Sequence, residues 1–510
     1  MILRSKSGIA ILCFLSVVCI ALITQLLSRR GTSATDWIPA LKSPPSEPCP
    51  DNLDWVKSVN LTYPIRYARR DIITNQVSDL ERASITKLDG PLFPDFQTLD
   101  LTREAQVQLQ HCEKPLELNV SAVPQDPSDA SHIIFGISTT IERIEESIPS
   151  LLRWLPHTKA RLFVVVIESE QEGEGEEKKD AVAADPEKMT QVEAKMRGLG
   201  MKVTLIEPFG LQDMFSEKYF SLIRLMFDNR TDKTLWISLL DDDTFFPSMP
   251  RLLQMLAKYD PHKQYYVGGL SEDWWSVTHY GMMGFGGAGV FLSIALAEVM
   301  VDNYDLCIKS SYANAGDIRV MECIYILTET KLSNERELHQ VDIHGDISGL
   351  YESGRMPLSL HHWKPGGADN KGYDLPVMNL VADVCGDCFL QRWQFGKKMV
   401  LSNGYSIAEY PKGNLKGLNM DEMEETWGPL PNVEGSINRG VDHSLAPIRP
   451  KLVLDEEKLQ YRLVHAAAVD GGVRQLYLHP GVDGDIDSVY DLFWTQNKKT
   501  DAPSSQPTAR

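Results

Sequence analysis

The sequence is short of positive charge. Its 51 lysines and arginines are outnumbered by 70 aspartates and glutamates, which gives a formal net charge of −19 over 510 residues. Neutralising nucleic-acid phosphates takes clustered Lys and Arg, so this balance argues against a nucleic-acid partner. The apolar share of 43% and the charged share of 24% are ordinary for globular chains, and the length leaves room for two or three domains.

Long apolar runs are also scarce, and the one that is present lies at the N-terminus. No charge occurs from Ser7 to Ser28, and twenty mostly apolar residues suffice to cross a bilayer as a helix. We therefore expect a cytoplasmic tail (1–7), an uncleaved signal anchor (8–28) and a lumenal remainder, which makes a single-pass type II protein of the Golgi or ER membrane. A signal peptide cleaved near Ala34 is the alternative interpretation.

The cysteines and glycosylation motifs fit a lumenal location. Two of the eight cysteines lie in the anchor, and the remaining six are an even number that can pair fully in an oxidising compartment. Proximity favours Cys307–Cys323 and Cys385–Cys388, although a CxxC pair is also found in redox sites and zinc half-sites. Acceptor motifs for N-glycosylation occur at Asn60, Asn119 and Asn229.

The middle of the chain alternates between strand-like and helix-like segments. Residues 29–127 are rich in Pro, Ser and charge and indicate a stem, whereas residues 128–365 repeat short apolar strands and amphipathic helices, among them one helix over Ile141–Leu155. This alternation predicts an α/β domain with a largely parallel central sheet. An acidic Gly/Glu run follows Ser169 and reads as a loop. Residues 366–510 predict a β-rich extension.

Three consecutive aspartates follow the apolar strand predicted over Thr234–Leu240. Asp241, Asp242 and Asp243 would be costly to bury without a cation, and hard divalent ions take carboxylate oxygens. An ion bound there neutralises charge on a diphosphate leaving group. A solvated acidic turn or a helix N-cap is the alternative interpretation.

A glycine-rich loop comes some 40 residues later. Residues 284–289 contain four glycines, which let a backbone approach a ligand closely. The loop is neither a dinucleotide-binding GxGxxG motif nor a P-loop, because no Lys follows it. A plain tight turn is the alternative.

Together these features resemble the fringe-type β1,3-glycosyltransferases, the family that includes fringe and the core β1,3-galactosyltransferases, and among them the fungal fringe-like proteins most. The resemblance covers His132 to His362, and the family's paired acids after the glycine loop are here reduced to Asp317. The shared segments are Thr139-Thr140 with Arg143, WISLLDDDTFF, YYVGGLSED, FGGAGVFLS, Gly316-Asp317 and Ser359–Trp363.

The resemblance implies a GT-A type nucleotide-sugar-binding fold, a UDP-sugar donor carrying galactose or N-acetylglucosamine, Mn²⁺ or Mg²⁺ as cofactor, inversion of the sugar, and a glycan or glycoconjugate acceptor. By the same resemblance, the metal ligands are Asp243, Asp241 and His361, with His362 as a weaker alternative to His361. The implied donor-binding residues are Thr139, Thr140, Arg143, Arg224, Asp241, Asp242, Gly286, Gly287, Ala288 and Gly289. Arg224 reads equally well as an exposed helix charge.

An inverting transferase also needs a carboxylate that is not bound to the metal to accept the acceptor's proton. Asp317 precedes the apolar-patterned segment Ile318–Leu327 and so opens a helix, where the helix dipole stabilises an ionised carboxylate. We predict Asp317 as this catalytic base. A simple helix N-cap is the alternative role for Asp317, and Glu322 is the weaker rival base.

Two alternative functions are compatible with the same residues. A metal-dependent hydrolase would activate water with the aspartates, but it normally needs nearby ligands such as HxH, and none occurs here. A catalytically inactive lumenal glycan-binding or scaffold protein could keep the same fold. The presence of Asp243 and Asp317 favours the enzyme.

Overall fold

The computed structural model describes most of the chain after the N-terminal segment. The described residues are 53–102, 109, 113–122, 128–168, 185–208, 214–343, 345–364, 374–427, 445, 447–482 and 484–497. Within these ranges no helix has both the length and the apolarity that a membrane span requires. The predicted anchor, the acidic run after Ser169 and four of the cysteines (Cys13, Cys19, Cys49 and Cys112) lie outside the described residues.

The described residues contain 21 strands. They are β1 (Ile65–Val77), β2 (Ile85–Leu88), β3 (Gln97–Leu99), β4 (Leu116–Ser121), β5 (Ile133–Thr139), β6 (Arg161–Val166), β7 (Lys202–Ile206), β8 (Trp236–Leu240), β9 (Tyr266–Gly268), β10 (Val290–Ser293), β11 (Leu332–Asn334), β12 (Leu338–His339), β13 (Ser359–Leu360), β14 (Arg392–Phe395), β15 (Met399–Ser402), β16 (Ser406–Glu409), β17 (Met423–Glu424), β18 (Ile448–Arg449), β19 (Leu459–Val469), β20 (Gly472–His479) and β21 (Ser488–Gln496).

The α-helices of the described residues are mostly short. They are α1 (Asp54–Lys57), α2 (Ile141–Glu146), α3 (Ile148–Leu151), α4 (Pro186–Gly198), α5 (Phe215–Asp228), α6 (Met249–Leu256), α7 (Trp274–Tyr280), α8 (Ile294–Asp302), α9 (Tyr304–Ser310), α10 (Gly316–Leu327), α11 (Ser348–Tyr351), α12 (Leu375–Met378) and α13 (Ala382–Cys385).

The predicted α/β domain is built on a seven-stranded sheet in the order β11-β9-β10-β8-β5-β6-β7. Four of its six strand pairs are parallel, and only β10 runs antiparallel to its two neighbours. The sheet is therefore largely parallel, as the alternation of strands and helices predicts. The carboxyl ends of β5 and β8 meet at one edge, which is where open α/β sheets bind ligands.

Both faces of this sheet are covered. All seven residues of β5 are buried, with Ile133, Phe135 and Ile137 in one apolar cluster and Ile134 in another. Side chains alternate between faces along a strand, so this division places one core on each side of the sheet. Helix α5 packs closely on the second face, where a Cβ added at Gly136 would lie 2.7 Å from the Met226 side chain.

The single helix expected over residues 141–155 is instead two short helices. Helix α2 ends at Glu146 and α3 begins at Ile148, with Ser147 between them. Pro149 lies in the first turn of α3, where its missing N–H costs nothing, but it cannot continue a helix that began earlier. The apolar spacing survives this break because the two helices follow each other against the same core.

A second, ten-stranded sheet joins the two ends of the described chain. Its order is β2-β14-β15-β16-β19-β20-β21-β1-β3, and β4 also pairs with β1. Strand β1 is parallel to β21 over nine residue pairs. Much of the segment expected to be a stem therefore belongs to the same sheet as the predicted β-rich extension, and the α/β unit is inserted between them.

Buried polar contacts connect the inserted unit to this sheet. Glu352, which follows α11, accepts hydrogen bonds from Lys458 (3.1 Å) and Gln460 (2.6 Å) of the ten-stranded sheet's region. Arg251 of α6 pairs with Asp387 at 2.8 Å. The disulfides predicted by proximity, Cys307–Cys323 and Cys385–Cys388, are both formed.

Candidate active site at the end of strand β8

The aspartate cluster forms a turn directly after the buried strand β8. The Thr244 hydroxyl accepts a hydrogen bond from the Asp241 backbone N–H at 3.1 Å and donates one to the Gly287 carbonyl at 2.9 Å. The side chains of Asp242 and Asp243 are almost completely buried, whereas the Asp241 side chain is 38% exposed. The turn therefore joins the aspartates to the glycine-rich loop.

A short antiparallel bridge brings the late histidines to this turn. Phe245 and Leu360 exchange two backbone hydrogen bonds of 2.9 Å, and the Trp363 N–H donates to the Asp243 carbonyl at 3.0 Å. The Trp363 ring stacks on Phe245 with 4.5 Å between centroids. His361 lies between these contacts, so its imidazole is directed at the aspartates.

The His361 ring has a different partner on each nitrogen. Nδ1 donates to the Gln340 carbonyl at 3.2 Å, while Nε2 lies 3.1 Å from Asp243 Oδ1 and 3.3 Å from Asp241 Oδ2. Burial by itself lowers the pKa of His361, but the two carboxylates outweigh burial and raise it to about 10. A carbonyl on Nδ1 is the usual way in which a protein orients a metal-ligating histidine.

Asp243 is surrounded by positive charge. Its Oδ2 lies 2.8 Å from Lys364 Nζ, and its buried Oδ1 lies 3.1 Å from His361 Nε2. Burial favours the neutral carboxyl group, but the contacts with His361 and Lys364 prevail and hold the pKa of Asp243 far below its usual range. Lys364 was not predicted from the sequence, although it directly follows the His-His-Trp motif.

The residues around Asp243 fit a divalent cation. Asp243, His361 and His362 each offer a ligand atom, and these atoms lie within 4.8 Å of one another. The shorter His361–aspartate distances match the spacing of about 3 Å between neighbouring ligands of an octahedral Mg²⁺ or Mn²⁺. His362 has a positive φ of 55° and is also 3.7 Å from Asp342. His361 is the better-placed ligand, because its Nε2 lies close to both aspartates and its Nδ1 is held by the Gln340 carbonyl.

Asp242 is held by partners on the neighbouring strand β5 and helix α2. Arg143 donates to both of its oxygens, from Nε at 2.6 Å and from Nη2 at 2.5 Å, and the Thr139 hydroxyl also donates to it. The hydrogen bonds to Asp242 raise the pKa of Arg143 above its usual value. Thr140 caps α2 through its hydroxyl, so of the predicted Thr139, Thr140 and Arg143 only two contact the aspartates.

The glycine-rich loop passes between the aspartate turn and α10. A Cβ added at Gly287 would lie 2.4 Å from the His361 ring, and one at Gly286 would lie 2.5 Å from the Tyr219 hydroxyl and 3.6 Å from Asp241. Gly289 has a φ of +93°. Ala288 is held by Gln340, whose side chain accepts from its N–H at 2.8 Å. The loop residues are therefore small because buried side chains of the site lie directly against the backbone.

Asp317 lies in the first turn of α10 but is not its N-cap, because Ala315 occupies that position. Its carboxylate accepts hydrogen bonds from the N–H groups of Ile318 at 2.9 Å and Gly286 at 3.4 Å. Burial, followed by the charge of Asp241, raises the pKa of Asp317 to about 6. Asp317 and Asp241 therefore both lie close to Gly286.

Tyr219 of α5 is a residue of the site that sequence analysis missed. It is 3% exposed, and its hydroxyl has no hydrogen-bond partner among the described residues. Burial, with the charges of Asp241 and Asp317, raises the pKa of Tyr219 well above its usual value, so the hydroxyl stays protonated. One tyrosine on an apolar helix carries no sequence signal that would separate it from ordinary core residues.

The structure does not bring Arg224 into this cluster. Its side chain is 56% exposed, pairs with Asp228 at 3.7 Å and lies over the Tyr304 ring at 5.3 Å. None of its contacts within the described ranges is with the aspartates or the glycine loop. Glu322 lies further along α10, and its Oε2 is buried without a hydrogen-bond partner among the described residues.

A cleft of about 330 Å³ opens beside the cluster. The cationic side chains of Arg143 and Lys364 border this cleft. Asp242 and Trp363 also line it. Its remaining lining comes from Glu146, Ser147 and Ser150. The cleft is therefore polar and lies at the end of a parallel strand, where α/β sheets bind ligands, and its two cations are balanced by Asp242 and Glu146.

Comparison with known proteins gives partial matches. A family model described as "Protein of unknown function, DUF604" matches residues 276–365, a range that contains the glycine loop, Asp317 and His361. No curated protein matches the chain.

Several solved glycosyltransferases resemble parts of the chain. The apo-form glycosyltransferase GlyE of Streptococcus pneumoniae TIGR4 is 15% identical over 48% of this chain and 56% of its own, with a TM-score of 0.30. The galactosyltransferase LgtC, solved with donor and acceptor sugar analogues, is 12% identical over 46% of this chain and 87% of its own (TM-score 0.28). The mannosyltransferase PcManGT of Pyrobaculum calidifontis, solved with GDP-Man and Mn²⁺, is 12% identical over 46% and 64% (TM-score 0.26).

This chain thus spans little more than half the length of GlyE. TM-scores of this size carry no argument about function, which rests on the geometry of the site.

The close packing of Gly287 on His361 generates a test of the metal site. Gly287→Ala should displace the imidazole, because the added Cβ would overlap the ring. We expect Mn²⁺ affinity, measured by isothermal titration calorimetry, to fall about tenfold or more. Gly198→Ala is the matched control, since a Cβ there meets nothing within 4 Å. Equal Mn²⁺ affinity in the two variants would contradict a metal site at His361.

Proposed function

We propose that this protein is a divalent-metal-dependent glycosyltransferase that moves a sugar from a UDP-sugar, carrying galactose or N-acetylglucosamine, to a glycan or glycoconjugate acceptor with inversion. One observation carries the proposal. Asp241, Asp243 and His361 converge at the end of a parallel strand, and a further carboxylate with a raised pKa, Asp317, accepts from the N–H of Gly286 beside them.

The cation would be held by Asp243 and His361, with Asp241 as the more exposed third ligand. These groups form a nitrogen and oxygen donor set, and the carboxylates suit Mn²⁺ or Mg²⁺. When bound, the ion supplies positive charge that stabilises the diphosphate leaving group. The burial of Asp243 Oδ1 beside His361 Nε2, at 3.1 Å, and the orientation of His361 by Gln340 support this assignment.

The donor would occupy the cleft beside Asp242. Arg143 and Lys364 border this cleft, where they pair with Asp242 and Asp243 and would donate hydrogen bonds to a diphosphate. The hydrogen bonds from Arg143 and Thr139 fix the Asp242 carboxylate, which is thereby oriented toward the donor's hydroxyl groups. The resemblance to fringe-type enzymes assigns this same region to the nucleotide and favours a β1,3 linkage.

Asp317 would act as the general base. The acceptor oxygen forms a bond to the anomeric carbon while the bond from that carbon to the diphosphate oxygen breaks, and UDP leaves with the electron pair. The acceptor proton passes to Asp317. A carboxyl group whose pKa is about 6 is ionised at neutral pH, yet it is basic enough to take a proton as the new bond forms.

Substitution of the proposed ligands tests the metal dependence. Asp243→Ala and His361→Ala should each lower Mn²⁺-dependent UDP release by about a hundredfold or more, because the diphosphate charge is no longer neutralised. The assay measures UDP formed from UDP-galactose and UDP-N-acetylglucosamine with a panel of glycan acceptors. Asp232→Ala and His262→Ala alter exposed residues and are the matched controls.

The same assay distinguishes the competing functions. UDP release that needs no acceptor would identify a hydrolase, and absence of release with any donor would identify an inactive member of the fold. Full activity of Asp243→Ala would remove this residue from the site.

Replacing the proposed base tests Asp317. Asp317→Asn should lower turnover about a hundredfold or more while donor binding is retained. In the parent protein, turnover should fall as the pH drops below about 6, because the carboxylate is then protonated. The raised pKa also means that the folded state loses stability between about pH 4 and pH 6 as the carboxyl group ionises. At pH 7.5 the Asn variant should therefore unfold no more easily than the parent.

Asp305→Asn is the matched control, since Asp305 is an exposed acid in the first turn of the neighbouring helix α9. If Asp317→Asn turns over within a few-fold of the parent, Asp317 is not the general base and has only a structural role.

We also propose a type II topology, with residues 8–28 as the anchor and the catalytic unit in the Golgi or ER lumen. The three sequon asparagines, Asn60, Asn119 and Asn229, are all exposed, as glycosylation requires. Endoglycosidase should increase the electrophoretic mobility of the expressed protein. Each Asn→Gln change at a glycosylated site should lower the apparent mass by that of one glycan. An unaltered mobility, together with protease digestion of the catalytic unit in intact vesicles, would contradict this topology.

A further inference from the structure

We propose that an aromatic rim beside α10 is the acceptor subsite, and that it binds the sugar rings of a glycan by stacking. The aromatic rim consists of Phe215, Trp274, Trp275, Tyr280 and Tyr312. The inference rests on the proposed glycosyl transfer, since it names where the second substrate of that reaction lies.

Exposure sets these five side chains apart. Their exposed fractions are 46% for Phe215, 50% for Trp274, 47% for Trp275, 38% for Tyr280 and 89% for Tyr312. Across the described part of the chain, no other phenylalanine, tryptophan or tyrosine is as exposed. Aromatic surface of this kind is normally buried, and a concentration of it beside a candidate active site marks a binding surface.

One side of the rim is linked to Asp317 through α10. Asp317, Met321 and Tyr325 are spaced four residues apart and so share one face of this helix. The segment after α7 runs along that face, because a Cβ at Gly281 would lie 3.9 Å from Met321 Sδ and the Met282 carbonyl accepts from the Tyr325 hydroxyl at 2.8 Å.

The same segment continues to Gly286, which donates to Asp317. Helix α7 therefore ends between one and two helical turns from the proposed base, or roughly 6 to 12 Å along α10. On α7 the Trp275 ring stacks on His279 at 4.5 Å and meets Tyr280 edge-on at 5.8 Å. This side of the rim is an extended aromatic surface rather than a single exposed ring.

The other side of the rim lies at the entrance to α10. The Ser216 hydroxyl, next to Phe215, donates to the Ala313 carbonyl at 2.6 Å. Arg319 of α10 is fully buried and donates to Ser216 Oγ at 3.2 Å, which fixes the same loop. Tyr312 directly precedes Ala313 and lies five residues before Asp317. Both parts of the rim are therefore linked to α10, the helix that carries the proposed base.

The framework that positions α7 also positions the metal-site histidine. Asp273 caps α7 by accepting from the Trp275 N–H at 3.0 Å. The residue before it, Glu272, is buried and contacts His339 Nδ1 at 2.9 Å. His339 is followed by Gln340, whose carbonyl accepts from His361. The aromatic surface is therefore held in a fixed relation to the reacting centre.

The chemistry of the rim favours a carbohydrate. Tryptophan and tyrosine combine flat apolar faces with polar edges and lose little entropy on binding, which suits the C–H faces and hydroxyl edges of pyranose rings. An anionic membrane surface would instead need clustered Lys and Arg, and α7 (WWSVTHY) contains neither.

Substitution of Trp275 in the full chain tests the subsite. With UDP-galactose or UDP-N-acetylglucosamine as donor and a panel of p-nitrophenyl glycosides and free oligosaccharides as acceptors, Trp275→Ala should raise the acceptor KM about tenfold or more. The donor affinity, measured by UDP titration, should change less than twofold. Trp275→Phe keeps an aromatic face and should recover most of the acceptor affinity. Val453→Ala, at a residue that is 53% exposed and far along the chain, is the control.

Binding of the full chain to a glycan array, with no donor present, separates this inference from the proposed function. If the parent transfers no sugar but binds glycans, and Trp275→Ala and Tyr312→Ala lose that binding, the subsite stands and the transferase proposal fails. If the acceptor KM and array binding of both variants stay within twofold of the parent, or if the parent binds no glycan in either assay, the subsite is overturned. Rim-dependent binding to phosphatidylcholine and phosphatidylserine vesicles, with glycan use unchanged, would also overturn it.

Discussion

Two backbone hydrogen bonds between Phe245 and Leu360 create the geometry on which the candidate site depends. They join the turn after β8 to a segment more than a hundred residues later, and the adjacent Trp363 ring stacks on Phe245. Because backbone pairing fixes the register, His361 has to face the aspartates. Burial of both aromatic rings makes this register costly to change, so the geometry of the candidate metal site depends on core packing.

The three consecutive aspartates have three different environments. Asp242 is neutralised by Arg143, Asp243 is buried between His361 and Lys364, and Asp241 remains partly exposed. Environment rather than residue type therefore distinguishes the three roles that we propose for them, in orienting the donor, binding the cation and completing its ligand set. Despite its burial, the pKa of Asp243 is lowered by His361 and Lys364, whereas the pKa of Asp317 is raised by burial and by the negative charge of Asp241.

The α/β unit is inserted in sequence between strands of the ten-stranded sheet, so this sheet holds both ends of the unit. Strand β1 precedes the unit and β21 follows it, yet the two are adjacent and parallel. Glu352 near the end of the unit is tied to Lys458, which is 1% exposed, so a buried ion pair crosses between the two parts. Breaking such a pair leaves an uncompensated buried charge, which resists separation of the parts.

The sequence by itself determined the features that depend on neighbours along the chain. These are the alternation of strands and helices, the placement of the aspartates at a strand end, the helix that begins near Asp317 and the two disulfides between nearby cysteines. Side-chain periodicity and short loops carry this information locally. The break at Pro149 was also local, but the continuous apolar spacing concealed it.

Only the tertiary structure decided which distant segments meet. The pairing of β1 with β21, the contact of Lys364 with Asp243, the position of Tyr219 over Gly286 and the location of Arg224 away from the cluster all follow from contacts between residues far apart in sequence. Such contacts are selected by packing and charge over the whole fold, and no local pattern specifies the partner. The sequence therefore predicted the residue types of the candidate site, and the folded chain decided which of them lie together.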